Sequence, residues 1–225
     1  MAAVRARVPF VIEREIDLRG VTFDQFLAHA FDRSGPEWQV KESEDTTLLE
    51  VDAALQIQHA ERFFRDPSCV ARFSRDQRVQ GFWFLPNWFQ PDFFSWQIWN
   101  HDLPISPRIS CVNAMSVLYR DLFAHDDHDD RGYMWFDLLE GAAPGRAGDS
   151  AAGTFCSLCM PVRNALIGVL QEILAIPHCE RAALHGLNHW GTAADRAAII
   201  DPWLRSAPPG KMRDYALLCR DGKAE

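Results

Sequence analysis

The chain has 225 residues, of which 48% are hydrophobic and 12% aromatic, and it carries a formal net charge of −8 at pH 7. This apolar content excludes wholesale disorder, and the length suits one large domain or two small ones. The negative charge argues against a nucleic-acid partner, because phosphate binding needs clustered lysine and arginine side chains, and it is compatible with a basic protein partner.

The N-terminal part is predicted to contain one strand and several helices. Residues 8–17 could form the strand. Thr22 with Gln25, and Ser74 with Gln77, match the capping box that opens a helix. The first twenty residues lack an apolar run of signal-peptide length, and six sparse cysteines do not form a disulfide framework, so we expect a cytoplasmic protein.

Two longer helices are predicted in the first half of the chain. One begins at Thr46 or Thr47 and ends before Pro67, and His59 on this helix is expected to be a surface or packing residue. The other runs from Pro107 to about Ala124, with apolar residues at helical spacing.

The segment from residue 82 to residue 99 is unusually aromatic. Pro86 and Pro91 exclude one continuous helix through it. The rings either form core or supply an exposed interface, and core is favoured as their main role, with Trp88 or Trp96 partly exposed. The aromatic residues are Phe82, Trp83, Phe84, Trp88, Phe89, Phe93, Phe94, Trp96 and Trp99.

The most polar hexapeptide runs from His125 to Asp130. Its His125, Asp127 and His128 are of the types that bind divalent cations, but neighbouring residues rarely converge on one ion, so a solvated loop is favoured. The segment 141–153 is rich in Gly, Ala, Ser and Pro and is predicted to be a linker.

Three successive helices are predicted at Met160–Ile176, Cys179–Trp190 and Ala193–Leu204, followed by a short amphipathic segment. The links between them are so short that neighbouring helices must pack together. Gly191 is well placed as a left-handed stop for the second helix.

His185 and His189 lie four positions apart on the second of these helices and therefore share a face, on which a continued helical stripe would also place His178. Such a pair can bind zinc, but Gly186 stands where the hydrolytic HExxH motif has its glutamate. Histidines whose hydrogen bonds are satisfied between helices are the favoured alternative.

The segment CERAALHGLNHWGTAADRAAIIDPWL resembles a unit of HEAT-type helical repeats, within a region covering about residues 160–204. Together with RFSRDQRVQGFWFL, which begins at Arg72, it also resembles a group of uncharacterised bacterial helical proteins. The resemblance implies a helical fold and no particular activity.

We therefore expect an all-α fold, an irregular multi-helix bundle with a HEAT-like hairpin at its C-terminal end. Residues 1–225 would form a single domain, which could be subdivided into an aromatic-rich part at 1–140 and the HEAT-like helices at 154–205. The sequence contains no nucleotide-binding motif and no nucleophile motif. We therefore expect no catalytic residues and no cofactor. We also expect that the protein binds neither nucleic acid nor a membrane.

The first functional hypothesis is an acidic protein-binding module, such as an inhibitor or immunity-type protein that neutralises a basic partner. The alternatives are a metal-dependent enzyme, using His125, Asp127 and His128 or else His185 and His189 with Cys179, and a structural subunit of a complex. The oligomeric state stays open. The predicted partner-binding residues are Trp88, Trp96, Asp126, Asp127, Asp129 and Asp130.

Overall fold

The structure, a computed structural model, describes residues 14–32, 47–86, 94–125, 129–144 and 157–224. Most of these residues are helical, which confirms the predicted all-α multi-helix bundle. The helices are α1 (Phe23–Phe31), α2 (Ala53–Arg65), α3 (Arg75–Phe84), α4 (Phe94–Gln97), α5 (Ile105–Asp121), α6 (Asp129–Glu140), α7 (Met160–Leu174), α8 (Glu180–Trp190), α9 (Ala193–Ser206) and α10 (Lys211–Asp221), with 3-10 turns at Pro67–Arg72 and Phe123–His125.

Two short strands, β1 (Arg14–Leu18) and β2 (Thr47–Val51), form a parallel pair in which Arg14 lies opposite Thr47 and Leu18 opposite Val51. The predicted start of the helix at Thr46 or Thr47 is wrong, because residues 47–51 form a strand that pairs with β1. The helix begins only after Asp52, whose side chain accepts a hydrogen bond from the Leu55 N–H at 3.0 Å.

Both predicted capping boxes are confirmed. The Thr22 hydroxyl accepts from the Gln25 backbone N–H at 3.3 Å, and the Gln25 side chain accepts from the Thr22 N–H at 2.8 Å. Ser74 and Gln77 make the same reciprocal pair at the start of α3. Each box satisfies two of the backbone donors that a helix start leaves unpaired, so these helix starts follow from local sequence.

The described rings of the aromatic segment mostly belong to the core. Phe82 packs edge-on against Phe31 and Phe123, with ring centroids 5.2 and 5.0 Å apart, and Phe94 stacks on Trp135. Four rings are buried, whereas Trp96 is 37% exposed. Trp88, Phe89 and Phe93 lie outside the described residues. The buried rings of the segment are Phe82, Phe84, Phe94 and Trp99.

The three predicted C-terminal helices are present as α7, α8 and α9, and successive helices pack together. Gly191, however, has φ −79° and ψ 136°, which is extended and not left-handed. A Cβ at this position would lie 2.6 Å from the Leu187 carbonyl oxygen and 2.8 Å from Arg196 Cγ. Glycine is therefore required here by close packing rather than by backbone conformation.

Helices on both sides of the predicted linker share one core, since α5 packs on α7 and α6 packs on α8. Every helix from α1 to α10 contributes buried side chains to this core. Within the described ranges, no helix combines the length and the apolar character that crossing a membrane requires.

Candidate metal centre

The structure describes His125 of the acidic hexapeptide and the backbone of Asp129 and Asp130. His125 ends a 3-10 turn and is exposed. Residues 126–128 lie outside the described residues, and Asp129 and Asp130 form the first turn of α6. The metal-binding and partner-binding roles predicted for this segment therefore stay predictions.

His178 and Cys179 do not join His185 and His189. His178 has φ 71° and is exposed in the turn before α8, so the helical stripe does not extend back to it. Cys179 is buried, and its thiol donates to the Tyr119 carbonyl oxygen over 3.8 Å. Of the histidines and the cysteine predicted to lie together, only His185 and His189 share a face of α8.

A carboxylate from another helix completes a ligand set with these histidines. Asp137 of α6, His185 and His189 each place one potential ligand atom within 4.8 Å of the other two. Asp137 was not predicted from the sequence, because only the packing of α6 on α8 brings it to the histidines. The only local signal is that Asp137 and Glu140 are three positions apart and so share a helix face.

His185 has one ring nitrogen in use and the other unused. The residue is 3% exposed, and Nδ1 lies 2.9 Å from the Tyr215 hydroxyl. Nε2 is buried and has no hydrogen-bond partner among the described residues. Burial, together with the nearby His189 and Arg181, lowers the pKa of His185 to about 4, so the ring is neutral at neutral pH.

His189 faces two carboxylates of α6. Its Nδ1 lies 2.5 Å from Glu140 Oε2 and 3.5 Å from Asp137 Oδ1. The side chains of His189, Asp137 and Glu140 are 24%, 33% and 22% exposed. The cluster is therefore closed at His185 and reachable by solvent at the carboxylates.

The close approach of α6, α7 and α8 depends on Gly186. A Cβ there would lie 2.4 Å from Leu170 Cδ2 and 3.1 Å from Phe136 Cγ. The indole N–H of Trp190 also donates to the Phe136 carbonyl oxygen at 2.9 Å, which ties the end of α8 to α6. The residue that replaces the glutamate of HExxH thus has a packing role, and the carboxylates come from α6.

Further polar side chains surround His185. The Tyr133 ring of α6 lies against the imidazole with centroids 4.2 Å apart, and the Arg181 guanidinium lies 4.0 Å from the Tyr133 ring centroid. The Tyr215 hydroxyl of α10 lies 3.4 Å from the Tyr133 hydroxyl. Burial and the Tyr133 hydroxyl raise the pKa of Tyr215 far above its usual range, so this hydroxyl stays protonated.

Two imidazoles and one carboxylate are ligands typical of zinc and neighbouring divalent ions. Bonds of about 2.0–2.2 Å place the ligand atoms of a tetrahedral ion about 3.4 Å apart. The ligand atoms of Asp137, His185 and His189, which lie within 4.8 Å of one another, would therefore have to approach each other by at most about 1.4 Å to hold an ion. Side-chain rotation alone can supply a movement of that size.

No protein-family model, curated protein or solved structure matches the chain. The function of the cluster therefore has to follow from its own geometry and chemistry, and the resemblance to HEAT-type repeats stays a prediction.

Proposed function

We propose that this protein binds one divalent ion of the zinc class between α6 and α8, with Asp137, His185 and His189 as ligands. Two observations carry the proposal: Asp137, His185 and His189 each place one ligand atom within 4.8 Å of the other two, and the buried His185 Nε2 has no hydrogen-bond partner in the described structure. A buried polar atom left unpaired costs about 1–3 kcal/mol, and a bound ion would remove that cost.

The alternative of histidines satisfied between helices accounts for only part of the geometry. It explains His189, whose Nδ1 is bonded to Glu140, and it explains His185 Nδ1, which is bonded to Tyr215. It leaves His185 Nε2 unexplained. Bonds at Nδ1 are also the outer contacts that orient a histidine whose Nε2 holds a metal.

The ligand types favour zinc, cobalt, nickel or copper over magnesium and calcium, which prefer sites made of oxygen ligands. Three protein ligands leave a tetrahedral ion one position for water, as in catalytic rather than closed structural zinc sites. An open coordination position of this kind favours a metal-dependent enzyme, which was one of the functions considered from the sequence. A metal-bound water there could serve in hydrolysis.

Metal content tests the proposal. Protein stripped with a chelator and titrated with Co²⁺ should bind one equivalent and show the visible absorption of a four-coordinate ion. His185→Ala should lose this binding. His178→Ala should keep it, because His178 is exposed and away from the cluster.

Asp137→Asn provides a second variant, since Asp137 is partly exposed and its change should not prevent folding. It should weaken cobalt binding at least tenfold. Wild-type protein that is folded by circular dichroism but binds no stoichiometric cobalt or zinc would overturn the proposal, as would equal binding by Asp137→Asn.

Binding of a basic protein is the second candidate function. It is supported by the net charge of −8 and by Trp96, the one predicted contact residue whose side chain is described, which is 37% exposed. Tryptophan is enriched among residues that dominate interface energies. The inhibitor or immunity-type role is a more specific form of this proposal.

The Trp96→Ala variant tests this candidate. A basic partner held by the wild-type protein should dissociate faster from the variant, and its association should slow as salt is added. A captured partner that is acidic, or whose dissociation is unchanged in Trp96→Ala, would contradict the role of this residue.

A further inference from the structure

The C-terminal helix α10 contributes a side chain to the candidate metal centre. α10 packs on α8 and α9, and it places Tyr215 with its hydroxyl 2.9 Å from His185 Nδ1. The same hydroxyl lies 3.4 Å from that of Tyr133 on α6. One hydrogen-bonded chain therefore links the centre to the C-terminal helix.

The chemistry of imidazole gives this link a direction. A neutral histidine carries one N–H, and an ion on Nε2 requires that hydrogen to be on Nδ1. Nδ1–H then donates to the Tyr215 oxygen, whose own hydrogen is free to point to the Tyr133 oxygen. The opposite tautomer would leave a buried Nε2–H with no partner in the described structure.

The other anchors of α10 do not involve the metal centre. Ala216 is buried, Arg196 donates to the Arg220 carbonyl oxygen at 3.0 Å, and, just beyond the helix, Asn188 donates to the Ala224 carbonyl oxygen at 3.0 Å. α10 should therefore still dock when the Tyr215 hydroxyl is removed.

α10 also has fewer buried side chains than α7 or α8, and its outer face is exposed. Only two of its residues are buried, whereas Met212, Leu217 and Leu218 are exposed. Helices with little buried apolar area open at low free energy, which makes a change in their docking measurable.

We propose that metal binding and the docking of α10 are coupled through the hydrogen bond between Tyr215 and His185, which makes Tyr215 a positioning residue for the ligand. This coupling rests on the proposed metal site. Because coupling between two equilibria is reciprocal, docking of α10 strengthens metal binding by the same factor by which the bound metal strengthens α10 docking.

The test compares Tyr215→Phe with Tyr133→Phe by zinc titration of stripped protein. Tyr215→Phe should weaken zinc binding about tenfold, since loss of an outer contact to a ligating histidine typically costs 10–100-fold in affinity. Tyr133→Phe removes a hydroxyl one bond further from the imidazole and keeps the ring contact, so its effect should be smaller.

Hydrogen exchange gives a readout that a merely structural role would not change. Zinc should slow amide exchange in α10 of the wild-type protein about tenfold more than in α9, which carries no ligand. In Tyr215→Phe this additional protection of α10 should disappear while zinc still binds.

The outcomes separate the coupling from the site itself. Wild-type protein that binds no zinc overturns the metal site. Wild-type protein that binds zinc with no extra protection of α10, or Tyr215→Phe with unchanged affinity and protection, overturns the coupling and leaves the site standing. The wild-type comparison with and without zinc needs no variant, so it decides even if Tyr215→Phe fails to fold.

Discussion

At the residue scale, two buried histidines of the same chain differ in how their rings are used. His59 lies against Phe23 and Phe26 and places Nε2 2.8 Å from the Val21 carbonyl oxygen. This contact ties α2 to the start of α1, and it agrees with the packing role expected from the sequence. His185 uses Nδ1 for such a contact and leaves Nε2 without one in the described structure.

His59→Ala is therefore a second control for metal binding, as it should leave the cobalt stoichiometry unchanged.

Trp96 and Trp99 form a matched pair for separating surface from core. Trp96 is 37% exposed, whereas Trp99 is 4% exposed and stacks on Trp190 with centroids 5.7 Å apart. Trp99→Ala should lower the free energy of unfolding by about 3–5 kcal/mol, the usual cost of removing a large core ring. Trp96→Ala should lower it clearly less than Trp99→Ala does, because more of the Trp96 side chain is already in water.

Unfolding in guanidinium chloride measures both values. Similar losses in the two variants would show that Trp96 also belongs to the core. It would then be unsuitable as a contact residue for a protein partner.

At the element scale, the candidate site depends on how closely α8 can approach its neighbours. Gly186 lies in the interior of α8, where alanine would be favoured by about 1 kcal/mol on helix propensity alone. The Cβ would meet Leu170 and the rigid Phe136 ring, and overpacking of this kind costs about 1–3 kcal/mol.

We expect Gly186→Ala to lower the free energy of unfolding by up to about 2 kcal/mol and to weaken zinc binding, because α8 must move away from α6. Gly168→Ala is the control, since Gly168 lies in the interior of α7 with no atom within 4 Å of its Cβ position. That variant should be as stable as wild type or more stable, with unchanged zinc affinity. A more stable Gly186→Ala would contradict the packing role.

Local rules predicted the elements well where local contacts decide them. The capping boxes at Thr22 and Ser74, and the helices at residues 160–204, depend on side chains within a few positions of one another. The strand β2 was missed because its partner β1 lies far away in the sequence. Asp137 and Tyr215 were missed for the same reason, since only the packing of α6 and α10 on α8 brings them to His185.

At the scale of the whole molecule, one core contains side chains from both sides of residues 141–153. Trp135 of α6 lies among Phe64, Phe82 and Phe94, and Phe136 beside it meets α8. Separation of the two parts would therefore expose buried aromatic surface.

We expect a single cooperative unfolding transition. The midpoints from tryptophan fluorescence and from far-UV circular dichroism should coincide, and the calorimetric and van't Hoff enthalpies should agree. Two resolved transitions would instead support the subdivision into residues 1–140 and 154–205.

The parallel pairing of β1 and β2 also bears on the order of events during folding. Paired residues such as Arg14 and Thr47 are more than thirty positions apart, with α1 between them. Closing so long a loop costs chain entropy before any contact compensates for it, whereas helices form locally within about a microsecond. The strand pair should therefore form late, after α1 and α2 have collapsed onto the aromatic core, and it should contribute little to the rate-limiting transition state.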